Sequence, residues 1–233
     1  MWSLSPAETA ALLLSLKVAF WSVAASLPFA IVLAWILSRL SFPGKSLLDA
    51  LVHLPLVLPP VVVGYFLLLL FGRRGPIGAF LEEYLGISFM FRWTGAALAC
   101  AIMGLPLLVR AVRQSLDAVD RGLEAAAATL GAPPVWVFAS VTLPLIMPGI
   151  LTGMLLSFAR SLGEFGATIT FVSNIPGETQ TLPLAIYAFT QVPGGDAQAL
   201  RLCILSIILS LAALMASEVL VRRATVRAAG RDA

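Results

Sequence analysis

The sequence predicts an all-α, polytopic membrane protein with about five transmembrane helices. Composition is the first observation: of 233 residues, 60% are hydrophobic and 12% charged, and the mean hydropathy is +0.98. A soluble domain has roughly 45–50% apolar and about 25% charged residues. Second, the apolar residues gather into five stretches, each near the roughly 20 residues a bilayer core requires. Third, Lys and Arg lie mainly between and after those stretches, as insertion topology demands. They are too scattered for a nucleic-acid surface, despite a pI near 9.2. One membrane domain spanning residues 1–233 is expected.

The first span lies within Ala10–Leu37. Ser5 is its expected N-cap, with Pro6 at the first helical position and Glu8 as the acid of a capping box. No positive flank or cleavage pattern marks a signal peptide, so this segment reads as a retained helix. Lys17 should snorkel to the outer interface. The second span lies within Leu47–Phe71, where "HLPLVLPPVVVGY" places Pro55, Pro59, Pro60 and Gly64. These prolines free backbone carbonyls and kink the helix, either to face a cavity or to fix packing. His53, the single histidine, reads as an interfacial or packing residue. The third span covers Thr94–Val112 and the fourth Ile146–Thr170; the fifth covers Leu200–Val221, and Glu218 there can pair with Arg222 one turn on. Cys100 and Cys203 sit in apolar runs and read as small core residues.

Orientation follows from the connections. Arg39 and Lys45, then Arg110, Arg113 and Arg121, then Arg222, Arg223, Arg227 and Arg231 share one side, expected to be cytoplasmic. Arg73, Arg74 and Arg92 oppose this, but the sum puts the N-terminus outside and the C-terminus inside.

The cytoplasmic connection, about 114–145, contains "EAAAATLGAPPVWVFASVTLP". Glu124 opens a strong helix former, and Gly131 suits a left-handed helix end. Pro133 and Pro134 block continuation, while Pro134 can start a second helix through "VWVFAS". Two short helices with a sharp bend are expected, with Trp136 and Phe138 as bulk for packing. On residue physics alone, a loop lying on the membrane surface fits equally well.

This stretch resembles the EAA loop of binding-protein-dependent ABC-importer permeases, with Glu124, Ala125, Ala126, Gly131, Leu143 and Pro144 in matching order. The resemblance implies that the loop couples to an ATP-hydrolysing subunit. It extends through "SFPGKSLLDALVHLPLVLPPVVVGYFLLLLFGRRGPIG", "FARSLGEFGATITFVSNIPGETQTLPLAIY" and "VPGGDAQALRLCILS", which are similar to permeases of the molybdate-importer family, so that the likeness covers about Leu12–Glu218. It implies a type I ABC-importer permease fold in the cytoplasmic (inner) membrane. The implied assembly is a homodimer with two cytoplasmic ATPase subunits and an extracytoplasmic molybdate-binding protein. No GxxxxGK[ST] occurs in the chain, so ATP and Mg are expected on the ATPase and no cofactor or metal on this chain. Some relatives carry a further N-terminal helix, for which there is no room before Ala10. No sensing domain is expected after Ala233.

Within the fourth span, Arg160 and Glu164 stand four residues apart and can pair. They serve either as a self-neutralising structural pair or on the transport route. In the second reading Arg160, with Ser157, Ser161, Thr168 and Thr170, edges the path of a tetrahedral dianion, because guanidinium and hydroxyls donate to oxyanions. Gly163 and Gly166 permit close packing or a gate. The expected activity is ATP-driven uptake of molybdate, with tungstate as an alternative cargo and sulfate as the nearest rival. The resemblance implies a transport subunit, with no catalytic residue expected on this chain. An intramembrane hydrolase would need a catalytic constellation that one histidine and a lone intramembrane acid do not supply. A gradient-coupled carrier typically shows repeats and paired discontinuous helices, and no repeat is found.

Overall fold

The computed structural model describes residues 4–229, with side-chain surroundings as far as Ala216 and at Val219. The expected Glu218–Arg222 pair lies outside the described side chains. Helix α1 (Pro6–Arg39) begins as expected: Ser5 Oγ accepts from the Glu8 N–H at 3.3 Å, and Glu8 Oε2 accepts from the Ser5 N–H at 2.6 Å. There follow α2 (Lys45–Val57), α3 (Pro60–Phe71), α4 (Pro76–Leu85), α5 (Trp93–Asp117), α6 (Arg121–Thr129) and α7 (Pro134–Val137). A π-helical turn (Phe138–Thr142) then leads into α8 (Leu143–Leu162), which is followed by α9 (Gly166–Val172), α10 (Leu182–Thr190) and α11 (Asp196–Ala229). Among the described residues there is no strand.

Four helices are long and apolar enough to cross a membrane: α1, α5, the run Pro134–Leu162 and the Asp196–Ala216 part of α11. Together α2 and α3 add a fifth if counted as one span. The second span is therefore broken rather than kinked. Its halves meet at 114°, because Pro59 and Pro60 remove two consecutive backbone donors at the junction. The fourth span differs as well. Instead of continuing to Thr170, α8 stops at Leu162, the chain loosens over Gly163–Phe165, and α9 starts afresh.

The two breaks face each other. A Cβ on Gly166 would stand 2.8 Å from Pro60 Cβ, and one on Gly64 2.6 Å from the Ala167 carbonyl oxygen. So α3 and α9 touch backbone to backbone, an approach that only glycine allows.

Helices α1 and α5 run parallel. Lys17 Nζ sits 3.8 Å from the Trp93 ring centroid at one end, and Ser38 donates to Asp117 at the other. Helix α8 runs opposite to them, its Ile146 packing with Leu37 and Leu116. Small residues make these contacts tight. Gly149 and Gly153 lie against α5, where a Cβ on Gly149 would be 2.8 Å from the Ala111 carbonyl and one on Gly153 3.2 Å from Leu108 Cα. The sequence reading assigned no helix to the segments now seen as α4 and α10. Arg73 pairs with Glu82 of α4 at 3.4 Å, and the buried Leu182 N–H that opens α10 donates to Ser15 Oγ of α1 at 2.6 Å. Phe20, Phe29 and Val32 of α1 point outward and exposed, as a lipid-facing surface requires.

Candidate functional site

Two groups of expected residues lie at different places in the bundle. The first is the connection between α5 and α8. Asp120 caps α6 by accepting from the Gly122 N–H at 2.8 Å, so the helix starts three residues before Glu124, which occupies its first turn. Gly131 takes φ +85°, and Pro133 and Pro134 start α7, which gives the expected bend. The second helix does not stop. It passes through the π turn into α8, so Leu143 and Pro144 lie within a continuous helical run from Pro134 to Leu162. Leu143 is half-buried and Pro144 exposed. Ala125 and Ala126 are exposed, beside Leu123, Leu130 (89% exposed), Val135 and Trp136 (64%). Trp136 therefore does not pack inside the chain, whereas Phe138 does. This is an exposed apolar surface at one end of the helix bundle.

Glu124 turns away from that surface. Its Oε1 accepts from Arg39 Nη2 at 3.0 Å and from Thr142 Oγ1 at 2.7 Å, tying α6 to the end of α1 and to the π turn. Arg39 is only 10% exposed, and its Nε is buried without a partner. A pocket of about 300 Å³ opens beside the cluster, lined in part by Trp35, Ala128 and Pro134.

The second group surrounds the facing breaks. Arg160 Nη1 lies 2.7 Å from Glu164 Oε2, with the arginine 29% and the glutamate 1% exposed. The expected pair forms, although Glu164 lies beyond the end of α8. Its other oxygen accepts the Ala167 N–H at 2.8 Å and so holds the open start of α9. The hydroxyls are differently placed. Ser161 is buried 3.0 Å from Ser22 Oγ and donates to the Ser157 carbonyl, while Ser157 is buried over Gly104 with no partner for its Oγ. Thr168 and Thr170 donate to carbonyls one turn back. Of the set, Ser157, Ser161 and Thr168 are buried, whereas Thr170 and Arg160 are partly exposed and only Arg160 is charged. Gly163 is exposed, and Gly166 sits against Pro60 and Val61. Pro59 is exposed, Pro55 and Pro60 half-buried, and Pro55 lies inside α2.

Several residues were missed from sequence. Arg39 and Thr142 hold Glu124, but they come from distant segments. Glu8, fully buried, takes Arg201 Nε at 3.0 Å and Nη2 at 2.9 Å on Oε1, which fastens the start of α1 to α11. The Gly149–Gly153 spacing was detectable as a small-xxx-small signal in an apolar run. His53 contacts its own helix, with Nδ1 2.9 Å from the Asp49 carbonyl. Cys100 is buried in the core. Among the described residues, no group of three or more His, Cys, Asp or Glu is placed to hold a metal ion.

Residues 26–226 match the family described as binding-protein-dependent transport system inner membrane component. The chain is 59% identical over 225 residues to the molybdenum transport system permease protein ModB of Escherichia coli (strain K12), covering 97% of this chain and 98% of that protein. It is 40% identical to the sulfate transport system permease protein CysT of Salmonella typhimurium, over 80% of this chain and 67% of that one. Among solved structures, a chain of a bacterial ABC transporter involved in the import of the acidic polysaccharide alginate superposes with a TM-score of 0.73 at 17% identity, covering 94% of this chain and 80% of that chain.

Proposed function

This chain belongs to the binding-protein-dependent transport system inner membrane component family, and from that premise we propose that it is the multi-pass permease of an ATP-driven molybdate importer. Likeness to ModB across almost the whole chain carries this reading, since the likeness to the sulfate permease is lower and covers less of it. Tungstate, a dianion of the same shape and charge, is a further cargo.

Two copies of the chain enclose the path. Two cytoplasmic ATPase subunits dock below, and an extracytoplasmic molybdate-binding protein delivers the anion from above. The exposed face of Leu130, Val135 and Trp136, with Ala125 and Ala126, meets the ATPase. Glu124 and Gly131 shape that loop, and Leu143 and Pro144 join it to the span. ATP and Mg belong to the ATPase, and no cofactor to this chain. The N-terminus is outside and the C-terminus cytoplasmic, which places the loop on the ATPase side. Arg160, Ser161, Gly163, Glu164, Gly166 and Thr168 edge the route or its gate, next to the break at Pro59 and Pro60 below which Pro55 sits. The serines and threonine reach the route only when the helices that now cover them part.

The test is ATP-dependent molybdate uptake by proteoliposomes holding this chain, its ATPase and the binding protein, competed separately with tungstate and sulfate. Block by tungstate but not by a large sulfate excess is expected. Strong sulfate competition would move the cargo to sulfate, and no uptake by an intact assembly would overturn the cargo assignment.

A further inference from the structure

The pairing of Arg160 with Glu164 has two unequal halves. Glu164 is 1% exposed and anchored: one oxygen takes the Ala167 N–H, the other faces Arg160. Arg160 is 29% exposed, and Glu164 is its one ion-pair partner among the described residues. Its Nη1 lies 2.7 Å from Glu164 Oε2, and that contact joins the two side chains as an ion pair. A guanidinium has five N–H donors, and the contact with Glu164 is made at Nη1. The partly exposed, reachable member is the cation, and the buried, anchored member is the anion.

A partly exposed arginine within a span must face water or protein rather than lipid. An oxyanion arriving there meets Arg160 and never touches Glu164. Were Arg160 unpaired, its whole charge would act on a dianion in a poorly screening medium, and the cargo would be held. A route must bind weakly enough to release.

We infer that Glu164 is a fixed counter-ion that sets how tightly this permease holds its oxyanion: Arg160 reaches from it to the cargo and returns to it when the cargo leaves. Glu164 is thus a positioning residue acting through Arg160. The inference rests on the reading of Arg160 as a path residue. Because Glu164 also holds the start of α9 against α3, neutral glutamine is the informative replacement: its amide oxygen keeps the Ala167 bond while the charge is removed.

The experiment measures equilibrium binding and release of radiolabelled molybdate by the detergent-solubilised permease–ATPase complex, without nucleotide or binding protein, alongside uptake in proteoliposomes. Glu164→Gln should bind molybdate about tenfold more tightly, release it more slowly and import it more slowly. Simple structural damage would slow import without tightening binding. The gain should vanish in the Arg160→Gln, Glu164→Gln double variant. If Glu164→Gln does not assemble, Glu164→Asp, whose shorter carboxylate recedes from Arg160, should bind about threefold more tightly. Unchanged or weaker binding in an assembled single variant, or a gain that survives loss of Arg160, overturns the inference. Absence of uptake by the wild-type assembly would instead overturn the transport reading.

Discussion

Arg39 offers the sharpest test of how the cytoplasmic loop is held. Helix α6 buries none of its side chains, so little besides Glu124 fastens it to the bundle. Glu124 Oε1 receives Arg39 at 3.0 Å and Thr142 at 2.7 Å, and the arginine is nine-tenths covered. A hydrogen bond to a charged group in such a setting contributes about 1.5–3 kcal/mol. Arg39→Ala and Glu124→Ala should therefore each loosen α6 by about 2 kcal/mol, and the double variant by little more than either single. Amide exchange across α6 reads this directly, because 2 kcal/mol is about a 30-fold faster exchange for residues that open locally. On the proposed docking of the ATPase at this loop, the transporter should then spend more ATP per anion imported, because the loop is no longer tied to α1. Additive effects in the cycle, or unchanged exchange in Arg39→Ala, would show that the contact does not hold the helix.

Other residues give independent tests. Arg160→Ala should abolish molybdate uptake while the permease still co-purifies with its ATPase; normal uptake would remove Arg160 from any essential role. Arg201→Ala takes the cation from Glu8, which keeps its Ser5 N–H bond, and should cost about 1–3 kcal/mol in thermal or chemical unfolding, with partial recovery when Glu8→Gln is added. Gly64→Ala puts a methyl 2.6 Å from the Ala167 carbonyl oxygen. The overpacking of about 1–3 kcal/mol should outweigh the gain in helix propensity of about 1 kcal/mol, read as reduced uptake by a variant that still assembles. Trp136→Asp should lose the ATPase in a pull-down and leave the melting of the permease near that of the wild type, because the ring is 64% exposed.

Features governed by neighbouring residues were legible. The Ser5–Glu8 box, the left-handed Gly131 and the start at Pro134 follow from rules that act within one turn, and all three appear as read. Hydropathy located the spans but not their interruptions. Leu162 to Gly166 stays apolar enough to look continuous, and a glycine in a membrane helix is not by itself a stop. The break becomes visible only when Pro60 and Val61 of α3 lie against Gly166. Pairs such as Arg39–Glu124 and Glu8–Arg201, 85 and 193 positions apart, are beyond any local rule. Glu8 illustrates this best: its capping role was readable, and its second role awaited α11. Gly149 and Gly153 were readable and went unread.

The helix that starts on the loop surface also carries the arginine. From Pro134 to Leu162 the run is continuous, so Trp136 and Arg160 are two points on one rod. Gly149 and Gly153 set its depth on α5, and Ser157 lies over Gly104 nearer the arginine, so the helix is held at several levels rather than at one pivot. A displacement at the Trp136 end would therefore move Arg160 only by sliding or turning the helix as a whole along α5, and a bulkier residue at Gly149 or Gly153 would set the two helices further apart at that level without touching either end.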